Sequence, residues 1–309
     1  MDLQNILNSS KRQQWSVADF DWSTPVDMEG VSQKQQRNLA FVLLFISGVE
    51  RAGAEFFRIH ADYIDDPVAS ELFNVFAADE DRHADAEIEM AKRLGMQWHE
   101  LPWITRLAFK FVNDDLEALR KSKYGPGIHR FGATMILFAE LGLDGIVMPT
   151  LRKGMNEPLH DAVWKKIDQD ERRHLAMDYW LIENRYERNL AHQKRLLEGA
   201  TLPRAKRGFK LSIPLRSIIL TPLIVIPGFL LVARAATALP VEASVFRRYW
   251  ELVKAVPKKS PHATELASYN NPRNWIKNIS LYFKDKKRFT SFVYYISSGK
   301  KLVRGVGLE

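Results

Sequence analysis

Asp79-Glu80-Asp81-Arg82-His83 returns in the same chain as Asp170-Glu171-Arg172-Arg173-His174. One glutamate precedes each copy. Glu50 is separated from Asp79 by 28 residues (51–78), and Glu140 from Asp170 by 29 residues (141–169). Glutamate and histidine three apart on a helix project from one face, one turn apart. An antiparallel arrangement of helices can bring both pairs together with Glu50 and Glu140, placing four carboxylates and two imidazoles around one point. Burying that many carboxylates demands compensating cations. Two divalent metals, each with one histidine, one terminal glutamate and two bridging glutamates, balance the charge, and mixed oxygen and imidazole ligation suits iron or manganese. Asp79 and Asp170 can accept the free N–H of the opposite copy's histidine and fix its tautomer, with Arg82 and Arg173 paired to them. A single Glu-x-x-His is more often an exposed ion-pairing face. Two copies, with matched aspartate, arginine and upstream glutamate, are poorly explained that way. Glu55 is the only serious rival to Glu50, and its span to Glu80 is short for two long helices and a turn.

The flanking sequence predicts helices around this pattern. Ser32-Gln33-Lys34-Gln35 has the form of a capping box and opens a helix through Phe45, Glu50 and His60 to about Ile64. Asp65-Asp66-Pro67 stops it and starts the next, since proline suits a first helical turn. That helix ends near Gly95. Residues 96–127 form a long crossover with a helical stretch around Leu107–Leu119, closed by Gly125-Pro126-Gly127. A third helix is expected from Ile128 to Val147, stopped by Pro149. After a turn near Gly154–Pro158 a fourth runs through Glu171 and His174 toward Arg195. The expectation is all-α: a four-helix bundle over residues 32–203, an extended lead-in over 1–31, and a basic, apolar, mainly helical region over 204–309.

Composition bounds the rest. The chain has 309 residues and no cysteine, which excludes disulfides, iron–sulfur clusters and rubredoxin-type iron. Residues 1–20 lack an apolar core segment, so a cytoplasmic protein without a signal peptide is the default. The net charge of +8 is divided: 25 Lys/Arg face 32 Asp/Glu up to Pro203, and 20 face 5 from Arg204 onward. Ser217 to Ala233 is 17 residues without a charge, broken by Pro222 and Pro227. It reads as a buried helix pair, as an in-plane membrane segment or, least well, as a span, which needs about 20 apolar residues. The basic and aromatic stretch around Lys284–Arg288 is a solvated face or a contact for anionic lipid at the inner membrane face. It carries no motif that reads nucleic acid.

The doubled pattern resembles the ferritin-like di-iron carboxylate superfamily, which includes bacterioferritin, rubrerythrin, acyl-carrier-protein desaturases, demethoxyubiquinone hydroxylase and the aerobic magnesium-protoporphyrin ester cyclase. The resemblance covers residues 32–195. It implies two iron ions, or an iron–manganese pair, held by Glu50, Glu80, His83, Glu140, Glu171 and His174. The oxidase and hydroxylase branch fits better than storage ferritins, which are short bundles without such an extension. The radical-bearing subunit of ribonucleotide reductase carries a tyrosine four residues after its first histidine, where this chain has Glu87. Several hydroxylases place a threonine one turn after the third-helix glutamate. Leu143 and Asp144 stand there, so Asp144 reads either as the proton relay in the threonine's place or as a helix-face charge. Gly48 and Gly53 around Glu50, and Gly142 and Gly145 after Glu140, read either as close helix packing or as a cavity for dioxygen or a substrate chain. The implied activity is an oxidoreductase (hydroxylase, monooxygenase, desaturase or oxidase) that uses O2, an external electron donor and an apolar organic substrate. The chain would be cytoplasmic, peripheral to the membrane, and compatible with a homodimer. The alternative is a non-enzymatic or ferroxidase-type iron-binding protein with an interaction tail.

Overall fold

The computed structural model describes residues 2–121, 129, 137, 140–155, 157–184, 200–201, 251–252, 255–256, 260 and 303–304. Among these the chain is helical, apart from a two-residue antiparallel pairing of Ala200–Thr201 with Val303–Arg304. The helices are α1 (Leu3–Arg12), α2 (Gln33–Tyr63), α3 (Pro67–Arg93), α4 (Trp103–Arg120), α5 (Met148–Met155) and α6 (Pro158–Asn184).

Helix ends follow the local chemistry that the sequence announces. Ser32 and Gln35 close the capping box at the start of α2: the Ser32 hydroxyl accepts from the Gln35 N–H at 3.3 Å, and the Gln35 side chain accepts from the Ser32 N–H at 3.0 Å. Asp66 caps α3 through the N–H groups of Val68 and Ala69, with Pro67 in the first turn. Gly95 ends that helix at φ +79°, a conformation that favours glycine.

Two apolar clusters run along the helices with the repeated motif between them. One joins Leu39–Ile46 of α2, Ala86–Ala91 of α3, Leu151 and Met155 of α5, and Val163–Ile167 of α6. The other joins Phe57 and Ala61 of α2, Leu72–Ala77 of α3, and Met177 and Leu181 of α6. Thus α2 and α6 run from the first cluster to the second, while α3 runs back. Helix α4 carries the chain along α2: its Phe109 ring packs 5.0 Å from Phe45, and the Arg120 carbonyl accepts from the Tyr63 hydroxyl at 2.6 Å. This is the helical stretch expected within 96–127, beginning at Trp103 rather than near Leu107; where the connection leads beyond Lys121 lies outside the described residues.

Two expectations are corrected. Residues 1–31 are not simply an extended lead-in. Asp2 caps α1, accepting from Gln4 N–H at 2.9 Å and Asn5 N–H at 3.3 Å, and Leu3, Ile6 and Leu7 pack into the second cluster. Leu3, Ile6 and Leu7 recur at helical spacing behind the Asp2 cap, with Lys11 and Arg12 in the last turn, so an amphipathic helix is written in this segment. Nor does Pro149 stop the third helix. A π-helical turn, Leu143–Val147, absorbs it: the Met148 N–H reaches the Leu143 carbonyl, and the chain continues as α5 through Pro149 to Met155. Proline at the start of this new helical segment meets no demand for its missing N–H.

A buried ion pair fastens the second half of the lead-in. Arg93 meets both Glu157 oxygens, at 3.0 and 3.1 Å, and donates to the carbonyls of Thr24 and Pro25 at 2.7 and 3.2 Å. No helix of the described residues is long and apolar enough to cross a membrane. The expectations for Gly125–Gly127, residues 185–195, Ser217–Ala233 and Lys284–Arg288 lie outside the described residues.

Candidate metal centre

The polar belt between the two clusters holds all six residues singled out by spacing. Glu50, Glu80, His83, Glu140, Glu171 and His174 are buried, and so are Asp79 and Asp170. Glu50, Glu80, His83 and Glu171 each place one ligand atom within 4.8 Å of the others. Glu171 spans the belt. Its Oε1 is 3.1 Å from His83 Nδ1 and its Oε2 is 3.4 Å from His174 Nδ1. Glu80 reaches across from α3, with Oε1 3.0 Å from His174 Nδ1. Glu80 and Glu171 thus stand between the two histidines, Glu50 completes the group with His83, and Glu140 lies close enough to feel the charges of Glu171, Glu80 and His174. Glu55, the rival to Glu50, is instead paired with Arg58 at 2.6 Å and Arg120 at 3.5 Å.

One outward nitrogen, that of His83, is within hydrogen-bond distance of its expected aspartate, while that of His174 faces Asp79 beyond hydrogen-bond range, and neither His174 Nε2 nor Asp79 Oδ2 has a hydrogen-bond partner. His83 Nε2 lies 3.0 Å from Asp170 Oδ2, and His174 Nε2 lies 3.6 Å from Asp79 Oδ2. Each aspartate is in turn held by the arginine three residues later, Arg82 on Asp79 and Arg173 on Asp170. A ring nitrogen that donates outward leaves Nδ1 with its lone pair turned inward.

The inner atoms test whether the residues fit a metal. His83 Nδ1, His174 Nδ1, Glu80 Oε1, Glu140 Oε2 and Glu171 Oε2 are buried and have no hydrogen-bond partner. Buried polar atoms are nearly always satisfied. Here five stand without one, and the carboxylate oxygens and imidazole nitrogen that Glu50, Glu80, His83 and Glu171 bring within 4.8 Å of one another could hold a metal ion. Electrostatics without a metal agree. Burial, then the charge of Glu80, holds Glu50 well above the ordinary carboxylate range. Burial, then Glu171 and Glu80, does the same to Glu140. Burial opposes ionisation of Glu171 too, but His174 and then His83 hold it below its ordinary value. Burial disfavours the charged His83 ring, yet Asp170 and Glu171 lift it to about 10. Protons on the histidines and on part of the carboxylates stand where metal charge would stand.

The glycines divide by role. A Cβ on Gly48 would lie 2.7 Å from the Phe109 ring, so that glycine admits α4. A Cβ on Gly53 would lie 3.1 Å from Glu80 Oε2, so that glycine leaves room for the carboxylate. Around Gly142 no atom of the described residues lies within 4 Å of such a Cβ. Asp144 falls in the π-helical turn after Glu140; its side chain is outside the described residues.

The motif reading stopped one turn short. Glu87 lies four residues after His83 and Asp178 four after His174, and both are fully buried. Burial and then the charge of Glu50 raise Glu87 well above the usual carboxylate range, and the charge of Asp178 contributes to raising Glu140. Glu87 is thus tied by charge to Glu50, and Asp178 to Glu140. Extending the comparison of the two copies by four residues would have found the pair. Gln13, Gln14 and Trp15, which also reach the motif, carry no such signal.

The chain matches no family model, no curated protein and no solved structure.

Proposed function

We propose that this chain is a ferritin-like four-helix bundle housing a di-iron or iron–manganese centre, and that it is an O2-activating oxidoreductase acting on an apolar organic substrate. The observation that carries this reading is Glu171, whose two oxygens face the two histidine Nδ1 atoms from one buried carboxylate. One metal would be held by Glu50, His83 and the bridging pair Glu80 and Glu171, the other by Glu140, His174 and the same pair. When bound, such metals supply Lewis acidity and redox capacity toward dioxygen. The protein's own part is to hold both Nδ1 atoms inward through Asp79 and Asp170, to exclude water with the flanking apolar clusters, and to balance charge. Electrons come from an external donor.

The π-helical turn directly after Glu140 favours a reactive over a purely structural centre, because such turns recur at functional sites. Anaerobic Fe(II) loading followed by metal analysis and O2 exposure tests the reading. Two irons per chain and an optical change on oxygenation are expected. Fewer than about one metal per chain would overturn it. Oxygen consumption tied to an organic product separates an oxygenase from an iron-handling protein, which takes up iron and releases no product.

A further inference from the structure

We propose that Gln13, Gln14 and Trp15 are positioning residues of the metal centre, so that docking of the N-terminal segment and occupation of the centre by metal are reciprocally coupled. The inference rests on the metal reading above.

Three consecutive side chains touch both halves of the repeat. Arg173 Nη1 donates to Gln13 Oε1 at 2.6 Å, and Arg82 Nη1 donates to Gln14 Oε1 at 2.7 Å. Gln14 Nε2 donates to Asp79 Oδ1 and to the Ser10 carbonyl, both at 3.0 Å, which ties the contact to the end of α1. Trp15 Nε1 donates at 2.8 Å to Asp170 Oδ2, the same oxygen that His83 Nε2 meets at 3.0 Å. The indole also lies nearly parallel to the His83 ring, 6.2 Å between centroids and 15° between planes, with the Arg82 guanidinium 5.1 Å from its centre.

The two adjacent glutamines each serve one of the two motif arginines, and through them one of the two aspartates behind the histidines. Asp79 and Asp170 are at most 1% exposed, Trp15 is buried and Gln14 is exposed, so a mobile water is the most that can stand in for a lost donor. Without Trp15 or Gln14 a buried carboxylate is one donor short, and the ring it orients is free to turn Nδ1 away from the bridging carboxylates. Groups at this remove from a metal change its affinity by about 10–100-fold. Linkage requires the converse: whatever factor the docked segment adds to metal affinity, metal adds to docking.

The test uses the full chain with Co(II) as the probe. Trp15→Phe keeps the ring and removes the donor; the double variant Gln13→Ala, Gln14→Ala removes both amides. Binding is followed by stoichiometry, chelator competition and the visible Co(II) spectrum, with hydrogen exchange of the amides of residues 3–15 measured with and without metal. The unsubstituted chain is expected to bind two Co(II) and to slow exchange in that segment on loading. Both variants should still bind two Co(II), but about 10–100-fold more weakly and with a shifted spectrum. Unchanged affinity and spectrum in both variants would overturn the proposal while the metal reading stands. If a variant fails to fold, exchange in the unsubstituted chain decides alone: no slowing of residues 3–15 on loading overturns the coupling. Absence of Co(II) uptake by the unsubstituted chain removes the metal reading itself.

Discussion

Glu171 Oε1 lies 3.1 Å from His83 Nδ1, while its other oxygen lies 3.4 Å from His174 Nδ1. One carboxylate from α6 thereby joins the two copies of the motif, whereas in the proposed centre Glu50 and Glu140 would each serve one metal. Glu171→Ala should therefore impair both metal positions together, whereas Glu50→Ala should impair one. Metal titration checks this. The expected result is a single low-affinity phase for Glu171→Ala, weakened by more than the about 10–100-fold typical of outer-sphere groups, and one tight plus one weak phase for Glu50→Ala.

Glu87 is fully buried with neither carboxylate oxygen hydrogen-bonded. Burial, then Glu50, lifts its proton affinity, with His83 opposing. In the metal-free protein the folded carboxyl keeps its proton at pH values where the unfolded chain has lost it. The unfolded state then binds fewer protons, and stability falls as pH rises above the ordinary glutamate value of about 4.3. Glu87→Gln removes that slope. Urea midpoints of metal-free protein should show the variant more stable by about 1–3 kcal/mol near pH 8, with little difference near pH 4. Because Glu87 is outside the six ligands, metal stoichiometry should stay at two.

The acid side is governed by histidines away from the centre. Burial, with Arg93 adding to it and Glu157 opposing, lowers His160 to about 4. Burial and then His129 lower His60 as well. Both rings are neutral in the folded chain and take up protons on unfolding, so the unfolded state binds more protons once pH drops below the ordinary histidine value. Stability should therefore be lost as pH falls from about 6.5 toward about 4. His160→Gln should flatten that limb by roughly 2–3 kcal/mol between pH 7 and 4, read as a smaller shift in urea midpoint.

Local signals made α2 and α3 legible to within a residue or two, because Ser32, Asp66, Pro67 and Gly95 act on their own neighbours. The six candidate ligands were legible because each histidine lies one turn from a glutamate and the chain repeats the arrangement. Other features depend on tertiary contact. Helix α1 is written in Leu3, Ile6 and Leu7 at helical spacing behind Asp2, but that its apolar face joins Phe57, Phe73 and Met177 is a tertiary fact. Pro149 reads as a stop until a π-helical turn accommodates it. Gln13 and Gln14 are ordinary surface residues in sequence and become part of the site only once Arg82 and Arg173 face them.

Gly48 and Gly53 look alike in sequence, both close to Glu50 on one helix, but they face different neighbours. Alanine at 48 would drive its methyl to 2.7 Å from the Phe109 ring, so the ring, or α4 with it, must shift away from α2. Overpacking of this kind costs about 1–3 kcal/mol, and Gly48→Ala should lower the melting temperature while leaving metal stoichiometry and spectrum unchanged. Alanine at 53 would meet Glu80 Oε2 at 3.1 Å. The flexible end of Glu80 can yield, so stability should hold or rise through the usual helix preference of alanine, about 1 kcal/mol over glycine. What yields is a carboxylate of the proposed metal centre, and Gly53→Ala should weaken metal binding and shift the Co(II) spectrum. Thermal melts beside Co(II) titrations of both variants decide the matter. A melt that falls for Gly53→Ala with normal metal binding would place Gly53 with the packing glycines instead.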